Sequence, residues 1–319
     1  MKLKVLKILL IISITCLSIN VLTAQSHFNL KYTNQDDTTT HFYGVLKPQG
    51  DIKAVLLLFS GGLSPSPQSF MKQHVFNLDS ICYNNNILLM MPYSLGKSEA
   101  HYLDDKTNAL IDQQLSDLSK RFSLSRKELF LAGFSFGGTA AFRYGEYCAV
   151  GKYDHNLKLS GVIGVEPCLD LAEMWNFLQK AKSTVDKSIK NEVKRGIKLL
   201  SKTLGGRPEE HYQKYLEASP LMTSKDQGGN AAYLKNVPVR LYVETDTDFT
   251  DNQYVIMTRE FKISDVRNMK NTLQKIGNQE VSLITTSGKG YRRNGHRNPH
   301  SWSIVDEEEL VAWCLEKNK

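Results

Sequence analysis

The run Leu129-Phe130-Leu131-Ala132-Gly133-Phe134-Ser135-Phe136-Gly137-Gly138 lies near the middle of this 319-residue chain and governs its reading. Glu128 to Gly133 is short, apolar and β-type, whereas Phe136 to Cys148 carries helical spacing. A serine squeezed between a strand and a helix sits in a sharp, strained turn, where a Cβ two residues to either side would strike neighbouring backbone. Gly133 and Gly137 fill those two places. The pattern Gly-x-Ser-x-Gly is weak by itself; a strand before it and a helix after it make it specific for an exposed, reactive hydroxyl. A phosphate-binding turn would need the Gly-x-Gly-x-x-Gly order or a P-loop lysine, and the run has neither.

Outward from this point the chain alternates strands and helices. Ile52 to Phe59, Ile87 to Met91, Leu159 to Val165, Val237 to Val243 and Val281 to Thr285 are near-continuous apolar runs, as expected of strands covered on both faces. His27 to Thr33 and His41 to Lys47 read as two further strands joined by a polar turn. Helices are expected over 68–84, Asp105 to Phe122, Asp265 to Ile276 with Gly277 as its cap, and Asp306 to Glu316. Eight strands with helices between the later ones predict an α/β fold with one mostly parallel eight-stranded sheet and helices on both faces. Residues 171–232 break the rhythm, with L-A-E-M-W-N-F-L-Q-K, a lysine-rich helical stretch to Leu204, a Gly205-Gly206 turn and a further helix over Pro208 to Leu216. An excursion of this length exceeds a loop. It reads as a helical insertion after the sixth strand, dividing a core of residues 25–170 and 233–319; a crossover helix with a decorated loop is the alternative.

Residues 1–24 stand apart. Lys2, Lys4 and Lys7 precede an apolar run from Ile8 to Val21, and Ala24 closes the stretch before polar Gln25. This is the pattern of a secretory signal peptide, and it predicts an exported protein, periplasmic or extracellular, with no stable membrane insertion after its removal. The run is short for a 30 Å hydrocarbon core, which disfavours an uncleaved anchor, and the Ile14-Thr15 pair before Cys16 fits a lipoprotein signal poorly. Cleavage removes three lysines and no acid, so the formal charge falls from +7 to +4. Basic clusters near Lys187–Lys202 and Gly288–Arg297 carry no nucleic-acid motif, so a solvated face or an anionic substrate is favoured over DNA or RNA. Cys82, Cys148, Cys168 and Cys314 have neither metal spacing nor scaffold density.

An acyl-transfer site needs donors for a developing oxyanion, a base and an acid that orients the base. The N–H of Phe136, just after the serine, is one expected donor. Phe59-Ser60-Gly61-Gly62-Leu63 ends the third strand and offers Gly62 as the second, with Gly61 or Leu63 one register away. Of the histidines in the mature chain, only His296 and His300 follow the final strand; His300, nearer the terminal helix, is preferred as base. Behind the imidazole, Asp246 is the first choice and Asp248 the second, both just past strand Val237 to Val243, with Glu166 and Asp170 as the other carboxylates at that edge of the sheet. The chain order Ser, Asp, His points one way.

Taken together, L-F-S-G-G (58–62), L-F-L-A-G-F-S-F-G-G (129–138), V-P-V-R-L-Y-V-E-T-D-T-D (237–248) and P-H-S-W (299–302) resemble the α/β-hydrolase superfamily, in its esterase, dienelactone-hydrolase-like and prolyl-oligopeptidase-like branches. The chain departs from that pattern at Ser60, where members often have His, and at Glu244, where Gly is common. The resemblance implies hydrolysis of an ester, thioester or amide with no metal or organic cofactor. Carboxylic ester cleavage through an acyl-serine leads; a peptidase or amidase, and a non-catalytic binding protein on the same scaffold, are the rivals. Trp175, Phe177 and Leu178 either line an acyl pocket or pack on the core. The Thr23-Ala24-Gln25 end of the leader is similar to those of exported Bacteroidota proteins.

Overall fold

The computed structural model describes residues 29–33, 36, 42–61, 76–92, 103–153, 155–184 and 187–317. The expected signal peptide, and residues 68–75 of the helix expected over 68–84, lie outside the described residues.

Eight strands form one sheet: β1 (Asn29–Tyr32), β2 (Phe42–Leu46), β3 (Ala54–Phe59), β4 (Ile87–Pro92), β5 (Glu128–Phe134), β6 (Lys158–Val165), β7 (Val239–Glu244) and β8 (Val281–Thr286). Their order is β1-β2-β4-β3-β5-β6-β7-β8. The first two strands run antiparallel to their neighbours, and β3 to β8 pair in parallel. The apolar runs are continuous because both faces are covered, and alternation within each run decides which face a side chain serves. In β3, Val55, Leu57 and Phe59 enter one core while Ala54, Leu56 and Leu58 enter the other.

The first core takes helices α2 (Asp105–Arg121) and α3 (Phe136–Ala149), through Leu115, Leu118, Ala141 and Phe142. The second takes α1 (Leu78–Asn84) and the terminal α8 (Glu307–Glu316), through Cys82, Leu310 and Trp313. Between β6 and β7 stand α4 (Leu171–Thr184), α5 (Lys187–Leu204) and α6 (Tyr212–Ala218), which share a third apolar cluster containing Leu171, Trp175, Leu178, Val193, Leu200 and Tyr215. Among the described residues no helix is long and apolar enough to cross a membrane. Among the described residues Cys82, Cys148, Cys168 and Cys314 are free thiols.

The largest departure from expectation is α7, which spans Gln253–Lys275 rather than starting at Asp265. Its start is capped by Asn252, whose side-chain oxygen accepts from the Tyr254 and Val255 N–H groups at 3.0 and 3.3 Å. Met257 packs in the third cluster while Val266, Met269 and Leu273 pack in the first. A helix that serves two cores shows no single apolar stripe, which is why its first half escapes a periodicity reading. Its other end is as expected: Gly277 has φ +98°, and the Asn278 N–H reaches back to the Leu273 carbonyl.

Candidate active site

In a parallel sheet the strand C-termini share one edge, so the residues just past β5, β6 and β8 meet there. Ser135 follows β5 directly with φ +55° and ψ −125°, a backbone region that side-chain-bearing residues rarely adopt. The turn is tight in the way the glycines imply. A Cβ on Gly133 would collide with the carbonyl of Gly137, and one on Gly137 would collide with the Phe59 carbonyl and lie 2.6 Å from that of Ser60. The Ser135 N–H donates to the Val165 carbonyl at 2.9 Å, and its own carbonyl accepts from Gly138 and Thr139 to begin α3. The bend is thereby fastened to both β6 and the helix.

His300 comes from the loop after β8. Its Nε2 lies 3.0 Å from Ser135 Oγ, and its ring packs on Phe134 with centroids 4.6 Å apart. Its Nδ1 lies 3.1 Å from Glu166 Oε2. Burial of the ring pulls the imidazole down to about 4, against the hydrogen bond to Glu166, which raises it. A third of the side chain, 34%, still faces the pocket. His300 is therefore neutral near pH 7 and able to accept a proton.

The carboxylate behind the ring is Glu166, and neither Asp246 nor Asp248 reaches it. Glu166 follows β6, has φ +51° and is fully buried. One of its oxygens accepts from the Glu244 N–H at 2.9 Å, and Arg259 of α7 pairs with both oxygens at 2.6 Å. Burial would raise this carboxyl; the hydrogen bond from His300 and the Arg259 guanidinium outweigh it and hold the group at about 2. Asp246 instead accepts from Arg297 at 3.1 Å and from the Asp248 N–H at 2.9 Å, and Asp248 is exposed. The Asp248 N–H, then Arg297, hold the Asp246 carboxyl below its ordinary range.

The other two sequence candidates fall away from the serine. His296 is exposed. Asp170 is buried and accepts from the N–H groups of Ala172, Glu173 and Thr223, so it caps α4. Phe136 opens α3 and lines the pocket beside Ser135; Gly62 lies outside the described residues.

Two residues that sequence reasoning did not single out, Lys262 and Arg259, shape the site together with Glu244, which the sequence showed only as a departure from the family pattern. Lys262 of α7 donates to the carbonyls of Glu166 and Pro167 at 2.8 Å each and contacts Cys168 Sγ at 2.9 Å. Together with Arg259 it holds the β6 end from the helix side. Glu244, at the position where glycine is common in the resembling family, is fully buried. It accepts from the Asp246 and Lys289 N–H groups and from Thr286 Oγ1, tying the end of β7 to the loop that carries His300. The only sequence signals were Glu244 and Glu166 themselves: each is a charge at or just past the end of an apolar strand.

A pocket of about 660 Å³ opens over Ser135 and His300. Met174, Phe177 and Leu178 of α4, Ile189 of α5, and Tyr254 and Phe261 of α7 supply apolar lining. Phe177 stacks on Phe261 with centroids 4.9 Å apart. A cavity of similar size, about 650 Å³, between the 223–235 segment and the end of α7 contains no histidine and lies away from the serine. Among the described residues no three His, Cys, Asp or Glu side chains converge as a metal site.

No protein-family model and no curated protein matches the sequence. Solved structures do match. A truncated carbohydrate esterase from gut microbiota is 11% identical with TM-score 0.60, over 93% of this chain and 98% of that one. Carboxyl esterase 2 of the mycorrhizal fungus Tuber melanosporum is 14% identical with TM-score 0.59, over 94% and 87%. A hormone-sensitive lipase from a metagenome library is 14% identical with TM-score 0.56, over 91% and 86%. At such identity the likeness concerns the fold: the chain has the α/β-hydrolase fold.

Proposed function

We propose that this protein is an exported serine hydrolase that cleaves a carboxylic ester through an acyl-serine intermediate. One observation carries the reading. Ser135 Oγ, His300 and Glu166 form a hydrogen-bonded series, 3.0 Å and then 3.1 Å, at the strained bend of the central strand. His300 Nε2 removes the Ser135 proton as Oγ attacks the carbonyl carbon, and Glu166 supports the imidazolium that forms. Backbone N–H groups of Phe136 and Gly62 hold the oxyanion. The imidazolium returns its proton to the departing alcohol. Water, deprotonated by the same ring, then releases the acid and restores the serine. Nothing in this cycle calls for a metal or organic cofactor.

The apolar lining of the pocket suits an acyl or aryl group, and the esterase and lipase descriptions of the structural neighbours favour an ester over an amide. Helices α4 to α6 act as a cap that shapes this pocket. Residues 1–24 direct export and are then removed, which mass measurement of the protein from the periplasmic fraction checks by a start at Gln25. The direct test combines fluorophosphonate labelling with p-nitrophenyl esters of graded length and an aminoacyl-nitroanilide panel. Labelling at Ser135 with ester turnover supports the proposal. No labelling and no turnover would refute it, and turnover of anilides alone would turn it to an amidase.

A further inference from the structure

Resting on the ester-hydrolase reading, we propose that the substrate carries a carboxylate, bound by Arg292 in the Ser135 pocket. Among the described residues, the pocket lining has four cations, Arg259, Lys262, Arg292 and Arg297, and no Asp or Glu. Three of these cations are committed to the protein itself. Arg259 pairs with Glu166. Lys262 donates to the Glu166 and Pro167 carbonyls. Arg297 pairs with Asp246 and donates to the Gly290 carbonyl at 3.0 Å.

Arg292 differs. It is half-buried, and among the described residues no carboxylate pairs with its guanidinium. Burial, with no opposing charge, lowers it from the usual arginine value. Its backbone is nevertheless fixed. The Arg292 N–H donates to the His296 carbonyl at 2.9 Å, its carbonyl accepts from Gly295 at 2.9 Å, and a Tyr291–Arg297 bridge closes the turn. A guanidinium held on an ordered turn, partly dehydrated and lacking an acid, is a preformed site for a planar anion. A purely apolar ester filling the pocket would strip more water from this charge and return nothing. A carboxylate on the substrate would pair with it, so the site discriminates by charge. The aromatic wall of Phe177, Phe261 and Tyr254 takes the apolar part of the same molecule.

The test compares kcat/KM for p-nitrophenyl butyrate with that for mono-p-nitrophenyl succinate, and for phenyl acetate with that for 4-acetoxybenzoate. The first pair places the carboxylate on the acyl side and the second on the alcohol side. A charge-assisted pair is expected to favour the anionic member of one pair by roughly 10- to 100-fold, and added salt reduces that preference. Arg292→Gln removes most of this ratio, Arg292→Lys keeps part of it, and Lys198→Gln on the exposed face of α5 leaves it unchanged. Turnover of the neutral esters with no anionic preference in either pair overturns the proposal while leaving the serine-hydrolase reading intact. A preference that survives in Arg292→Gln overturns the assignment to Arg292. Failure of all four esters, with no fluorophosphonate labelling of Ser135, defeats both readings.

Discussion

The hydrogen-bonded series at Ser135 makes its members separable by substitution. Ser135→Ala removes the attacking oxygen, and turnover should fall by about 10⁴- to 10⁶-fold with the fold retained, as kinetics beside a thermal melt will show. The φ of +55° adds a second expectation. Ser135→Gly should be equally inactive but more stable than Ser135→Ala by about 1 kcal/mol in denaturant titration, because glycine relieves the left-handed strain. Glu166→Gln should cost about 10⁴-fold in kcat, whereas Asp246→Asn should cost tenfold or less. Their pH profiles sharpen the distinction. The active form needs neutral His300, whose pKa is lowered to about 4, so the acid limb of kcat/KM should lie below the ordinary histidine range near 6.5. Glu166 raises the imidazole, so Glu166→Gln should move that limb to still lower pH. Ser135 and His300 were legible because each is marked by local pattern: glycines around one, position between the last strand and last helix for the other. Glu166 was only one of several carboxylates past a strand. What selects it is Arg259, 93 positions away in sequence, and a pairing at that separation leaves no periodic trace.

At the scale of elements, the site depends on close approach of β3, β5 and α3. Gly137→Ala would push a methyl group into the Phe59 and Ser60 carbonyls, and a loss of about 1–3 kcal/mol in stability is expected from equilibrium unfolding, with slower fluorophosphonate labelling. The His300 loop hangs from β7 through Arg297, Asp246 and Glu244. Arg297→Ala should therefore lower kcat with a small change in melting temperature, since the loop loses its anchor but the sheet does not. Strand and helix existence was readable here because both cores impose regular spacing. Boundaries were less so. The helix expected at Asp265 begins at Gln253 because its two halves face different cores, and the one expected over Pro208 to Leu216 occupies Tyr212–Ala218.

Across the whole molecule, the two sheet cores carry the fold while the third cluster, under α4 to α6, borders the pocket. Phe177→Ala should shift the preferred acyl length in a graded p-nitrophenyl ester series and leave melting nearly unchanged, because the ring is only half-buried and stacks on Phe261. The sequence indicated that 171–232 is helical and set apart from the sheet rhythm; which of its aromatics line the Ser135 pocket depends on α7, a partner sixty or more residues later. That helix is also the feature with the widest reach. Its 23 residues span about 34 Å. Tyr254 and Phe261 line the Ser135 pocket, Arg259 and Lys262 grip the Glu166 turn, and Leu273 is sunk in the sheet core. A rod with these three attachments transmits load. On the ester-hydrolase reading, an acyl group wedged against its front end bears on the same beam that steadies His300, so occupancy should slow amide exchange near Arg259 as well as near Tyr254.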